Sequence, residues 1–207
     1  MLSGLSASDI ISLLVSLLFA MVFHEATHAF VAHKLGDTTA ADEGRLTLNP
    51  LKHVDLYTTI ILPLILLLLG LPLILAARPV PFDPSQVRFG EYGSALMAIA
   101  GPFSNLLLAG ATAMLFHMGL IADRTLAEFL FVFMQVNVAL FVFNMIPIPP
   151  LDGSRLLYAF APEPVQRVME KIESFGFIFI LMILLFLAQF IGPALGNINH
   201  AILEFLL

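Results

Sequence analysis

The sequence contains no cysteine and no tryptophan. Without cysteine there is no disulfide and no thiolate metal site, so any bound metal must be held by histidine and carboxylate. Without tryptophan, the interfacial aromatic positions of a membrane protein fall to three Tyr and some of the 19 Phe. Charge is scarce as well: 12% of the 207 residues are charged, against roughly 25% in a soluble domain. The net charge is −6, and no basic run or patch offers a nucleic-acid footprint. Apolar residues fill the space, with 59% hydrophobic side chains and a mean hydropathy of +0.97. This composition excludes a soluble domain. It points to an all-α polytopic membrane protein with about five transmembrane spans, in a single domain over residues 1–207.

The first apolar stretch, residues 8–33, carries His24-Glu25-Ala26-Thr27-His28 near its end. Residues four apart share one helix face, so His24 and His28 can present two imidazoles to one ion. Glu25 sits beside the first ligand, within reach of a water on that ion. Two His with a neighbouring Glu is the arrangement of zinc proteases. Ionisable residues are costly inside a span, and three at ligand spacing mark a functional site. Residues 1–9 hold no Lys or Arg, and no small-residue cleavage site precedes the motif, so an uncleaved span is expected.

Lys34-Leu35-Gly36 should end that helix. His33 reads as interfacial, not as a ligand. Residues 37–55 are polar and turn-rich; Arg45 to Leu48 alternates and is expected as a short strand. His53 and Asp55 lie close together, with a solvated or interfacial role expected for them. Residues 56–77 are long enough to span, but Pro63, Gly70 and Pro72 leave a re-entrant hairpin open. Residues 78–90 form a Pro-rich surface loop. Residues 92–118 should span and contain Ala100-Gly101-Pro102-Phe103-Ser104-Asn105. Gly101-Pro102 marks a kink or a close helix contact, and Asn105 most simply makes an interhelical hydrogen bond.

Residues 126–146 form the next span, running into Asn144-Met145-Ile146-Pro147-Ile148-Pro149-Pro150-Leu151-Asp152-Gly153. Three prolines in four positions break the helix. Asp152 is expected to N-cap a short helix over residues 153–160. Residues 175–191 form the last clear span, with 193–207 as a short terminal interfacial helix. Asp152 is the candidate third ligand, because it follows a broken helix in a strongly apolar region.

His28 and Asp152 must then lie at one membrane depth. They meet if residues 56–77 re-enter, because the spans before each then run the same way. Charge gives an independent argument. In the re-entrant arrangement Lys34, Arg45, Lys52, Arg78, Arg88, Arg155, Arg167 and Lys171 share one side and only Arg124 is opposite, a split of 8 to 1. Full crossing gives 4 to 5 and no bias. The positive-inside rule thus favours re-entry, a site towards the cytoplasmic face, and both termini outside.

Together the three motifs resemble the site-2 protease family of intramembrane zinc metalloproteases. His24 to His28 matches the family's HExxH, Gly101-Pro102 with Asn105 its Gly-Pro-x-x-Asn, and Asn144 to Gly153 its N-x-x-P-x-P-x-x-D-G. The resemblance covers roughly residues 23–158. It implies one zinc ion held by His24, His28 and Asp152, Glu25 as general base, and Asn144 holding the substrate backbone or oxyanion. The implied substrate is a transmembrane protein cut within the lipid bilayer, in the cell membrane of a prokaryote. The chain looks like a core-only member, without room for a PDZ or CBS domain. A non-proteolytic zinc carrier and an inactive scaffold are the alternatives; few other polar residues line a transport path, and the base and ligand set is intact.

Overall fold

The computed structural model describes residues 6–53, 55, 61, 80–175 and 177–207. Helix α1, Ala7–Leu35, opens on a capping box. Ser6 Oγ accepts from the Asp9 N–H, and the Asp9 carboxylate accepts from the Ser6 N–H. It closes at Gly36, whose φ of +110° is a left-handed conformation that a glycine adopts without a Cβ penalty. Between these ends, Ser16, Ala20, His24, His28 and Ala32 recur every four residues, and all are buried. The two histidines therefore belong to the same stripe of mostly small side chains that packs α1 against the rest of the bundle.

A one-turn helix α2, Thr39–Asp42, and a 3₁₀ turn, Pro50–Lys52, follow. Arg45 to Leu48 is not a strand, and there is no strand among the described residues. The stretch is irregular, and its Thr47 carbonyl accepts from His53 Nε2 at 2.8 Å rather than from a neighbouring chain. Of the solvated or interfacial role expected for His53, the solvated one does not hold, since it is 2% exposed. Residues 56–77, expected to cross or re-enter, lie outside the described residues except Ile61.

Helix α3, Glu91–His117, runs through Pro102 without interruption. Its buried face is again small: Ala95, Ala98, Gly101, Asn105, Ala109 and Ala113, three or four residues apart. Helix α4, Arg124–Asn144, is capped by Asp123, which accepts from the Leu126 N–H at 2.7 Å. It ends where the proline run begins, as the sequence requires. Helix α5, Asp152–Phe160, starts on Asp152 itself, with Leu151 as the capping residue. Helix α6, Glu163–Ser174, is pinned to α5 by Tyr158, which donates to Glu170 at 2.6 Å. That bond to a carboxylate pushes the Tyr158 phenol up to about 12.

Helix α7, Phe177–Leu206, joins the expected last span and the expected terminal helix into one element with Pro193 inside it. The segment after Pro193 is not an interfacial helix. Leu195, Ile202, Leu203 and Leu206 pack against a buried cluster of Ala109, Ala113, Met134, Val138 and Val142 from α3 and α4. Among the described residues three helices, not five, are long and apolar enough to cross a membrane: α1, α3 and α4, with mean hydropathies of 1.9, 1.5 and 2.1. Large apolar side chains such as Leu107 and Met114 face outward at 73% and 61% exposure. That surface suits lipid and not water. Among the described residues all regular structure is helical, and the chain is an integral membrane protein.

The order of contacts gives the helix directions. Ala20, His24 and His28 ascend α1 while their partners Asn105, Gly101 and Met97 descend α3, so the two are antiparallel. Asn137 of α4 meets Asn105, and Asp152, beyond the end of α4, meets His24 and His28. Helices α1 and α4 therefore run the same way and finish at one end of the bundle. The described flanks of residues 56–77 meet at that end too. The Arg88 N–H donates to the Leu35 carbonyl at 2.8 Å, and the Asp83 N–H to the buried Asp37 carboxylate at 3.0 Å.

Candidate metal centre

Three side chains from two helices converge at this end of the bundle. His24 Nε2 and His28 Nε2 lie 2.9 Å apart. Asp152 Oδ2 is 3.0 Å from the first and 3.4 Å from the second. The imidazoles are buried and Asp152 is half-buried. One ligand atom from each falls within 4.8 Å of the others.

The far side of each ring fixes what these atoms are. His28 Nδ1 lies 2.8 Å from the Met97 carbonyl, which can only accept, so Nδ1 carries the proton. His24 Nδ1 lies 2.7 Å from Asn105 Oδ1. The Asn105 amide is oriented by its other end, because Nδ2 donates to the Ala20 carbonyl at 3.1 Å. His24 Nδ1 is therefore the donor as well. In the neutral rings both Nε2 atoms then present bare lone pairs to each other and to a carboxylate oxygen. Three acceptors facing inward repel unless a cation sits among them. For tetrahedral zinc with bonds of about 2.0–2.1 Å, ligand atoms stand about 3.3 Å apart. The observed edges of 2.9, 3.0 and 3.4 Å are close to that triangle. The residues fit a zinc ion.

Gly101 explains why α3 can approach so closely. A Cβ built on it would overlap His28 Nε2 and come within 2.8 Å of His24 Nε2. Gly153 does the same for Asp152. A Cβ there would overlap the Met145 carbonyl at the end of α4, so only glycine lets α5 begin against that turn. Pro102 is buried beside Gly101 and brings no N–H to the carbonyl four residues back.

Glu25 is half-buried and turned towards the chain that leads into α3. Its Oε2 accepts from the Val80 N–H at 3.1 Å. The Pro-rich stretch expected as a plain surface loop thus reaches the base candidate. Asn144 closes α4 and donates from Nδ2 to the Leu140 carbonyl at 3.0 Å. Of the residues singled out from the sequence, His24, His28, Asp152, Gly101 and Asn105 come together directly. Asn105 does make the interhelical bonds expected of it, and one of them falls on a ligand. Two contributors escape the sequence reading. Asn137 is a polar residue in an uncharged stretch of α4, and that is a signal the sequence does carry. The Val80 N–H is backbone and leaves no residue-type signature.

The chain is 38% identical over 189 residues to the "Putative zinc metalloprotease YwhC" of Bacillus subtilis, covering 87% of this chain and 80% of that protein. It is 32% identical to the "Putative zinc metalloprotease Rip2" of Mycolicibacterium smegmatis and 30% identical to that of Mycobacterium tuberculosis, in each case over 190 residues, 87% of this chain and 66% of the relative. No family model and no solved structure matches it.

Proposed function

The chain belongs to the site-2 protease family of zinc metalloproteases, and from that premise we propose that it hydrolyses a peptide bond within or near the transmembrane segment of a membrane protein. The observation that carries this reading is the inward-facing ligand triangle with Glu25 beside it, set in a helix long and apolar enough to cross a membrane. His24 and His28, through Nε2, and Asp152, through Oδ2, would hold one zinc ion. Bound there, zinc supplies Lewis acidity, which makes water more acidic and a peptide carbonyl more electrophilic. Glu25 takes the proton of the attacking water and returns it to the leaving amine. The Val80 N–H donates to Oε2 and helps hold the carboxylate in place. Asn144 has a second amide N–H beyond its bond to Leu140, and this one serves the substrate backbone or the oxyanion.

A helical substrate hides its carbonyls in hydrogen bonds, so the target span unwinds locally before cleavage. Residues 45–48 offer the unwound stretch no strand edge to pair with. The site end of the bundle carries Lys34, Arg88, Arg155 and Arg167, while Arg124 begins α4 at the other end. By the positive-inside rule the site faces the cytoplasm, in the cell membrane of a prokaryote. The direct test is Glu25→Gln in detergent or liposomes with a single-span reporter. The variant should keep its zinc content and lose cleavage; cleavage at the wild-type rate would refute Glu25 as the base.

A further inference from the structure

Asn137 sits at the middle of α4, is fully buried, and touches no ligand atom directly. Its Nδ2 donates to the Phe133 carbonyl at 2.8 Å, one turn back in its own helix. A backbone carbonyl can only accept, so this bond fixes which end of the Asn137 amide is oxygen. Oδ1 is thereby directed to Asn105 Nδ2, 3.0 Å away. Asn105 Nδ2 has two N–H groups, and the other goes to the Ala20 carbonyl. Both are then used, and Asn105 Oδ1 must face His24 Nδ1 at 2.7 Å. The series is directional along its whole length: Phe133 carbonyl, Asn137, Asn105, His24. Each amide has one orientation that satisfies its neighbours, and both side chains are fully buried.

We propose that Asn137 is a positioning residue for the metal centre: it locks the Asn105 amide, and through it holds His24 as the tautomer whose Nε2 lone pair faces the metal position. This rests on the zinc reading above. The consequence is a division of labour within α4. The helix supplies Asp152 beyond its C-terminal turn and, from two turns before Asn144, orients the imidazole that Asp152 meets. Without the Asn137 acceptor, one N–H of Asn105 is left unpaired in an apolar interior. The amide is then held by the Ala20 carbonyl alone, and the acceptor behind His24 Nδ1 is less firmly placed.

The test is zinc affinity by chelator competition on the full chain in detergent micelles. Asn137→Leu keeps the branched shape without the polar atoms, and Asn137→Ala serves as the second variant. Outer partners of metal-bound histidines are typically worth about 10–100-fold in affinity, and a weakening in that range is expected for either variant, with the apo protein still monodisperse. A purely structural role would not predict the second readout. In an Asn105→Ala background, adding Asn137→Leu should change zinc affinity by less than about twofold, because the relay is already cut. Wild-type affinity in both Asn137 variants would overturn the proposal. So would losses that multiply in the double variant, or loss of the folded apo protein in both single variants, since each makes Asn137 a packing residue. Failure of the zinc reading itself would appear elsewhere, as a wild-type chain that takes up no zinc.

Discussion

Replacing Gly101 by alanine separates the metal centre from the fold that carries it. In an exposed helix the change is favourable by up to about 1 kcal/mol, because alanine loses less backbone entropy. Here the added methyl points between the two imidazoles. It would stand 2.8 Å from His24 Nε2, 0.6 Å short of the 3.4 Å at which ordinary contact begins, and its overlap with His28 Nε2 is deeper. The helix backbone is held by its neighbours, so the rings must turn away. Metal sites tolerate displacements of only about 0.2 Å, and both imidazole ligands would exceed this. Zinc affinity should therefore fall by more than the roughly 100-fold upper cost of losing an outer partner. The assay is thermal unfolding of the purified chain with and without zinc, together with metal analysis after dialysis. Zinc at a hundred times its dissociation constant stabilises the wild type by about 2.7 kcal/mol through mass action. The Gly101→Ala variant should unfold near the wild-type apo temperature and show no upward shift with zinc. Stoichiometric zinc and a wild-type shift in that variant would refute the placement of α3 against the ligands.

Other expectations follow from the same geometry. Val80→Pro removes the N–H that holds Glu25 Oε2, whereas Val80→Ala keeps it. A hydrogen bond to a charged group is worth about 1.5–3 kcal/mol, so kcat should fall at least about tenfold in the proline variant alone, with zinc content unchanged; equal rates in the two variants would remove Val80 from the base. Asp37 is fully buried and accepts from the Thr39 N–H, the Thr39 hydroxyl and the Asp83 N–H. Asp37→Ala leaves these donors unpaired and should cost about 3 kcal/mol, read as a lower unfolding temperature of the apo protein. Gly153→Ala should push α5 off the Met145 carbonyl and displace Asp152, lowering zinc retention while α1 and α3 stay in place; undiminished zinc would contradict that contact.

Much of this site is legible in residue types and their spacing. His24 and His28 announce themselves because ligand spacing in a helix is a local property, and their placement in an uncharged run makes chance a poor account. The proline run dictates a break after Asn144, and the break is there. The misleading signals are local too. The alternation at Arg45 to Leu48 suggests a strand, but a strand needs a partner and none is present among the described residues. Pro193 suggests a helix boundary, yet α7 continues through it because Leu195, Ile202 and Leu203, partly buried, pack against α3 and α4. Packing supplies what one lost backbone hydrogen bond withdraws.

The sequence by itself determined the elements: apolar lengths that form spans, caps such as Ser6 with Asp9, the stop at Gly36, and two imidazoles on one helix face. These depend on residues within one or two turns of each other. The tertiary structure alone decided what meets across long separations. It placed Asp152 on His24 and His28, Asn105 behind His24, Asn137 behind Asn105, and the Val80 N–H on Glu25. It also gave Gly101 its meaning, as a missing side chain whose absence leaves room for the metal ligands. Helix approach is set by the sum of small contacts along whole faces, and no short stretch of sequence carries that sum.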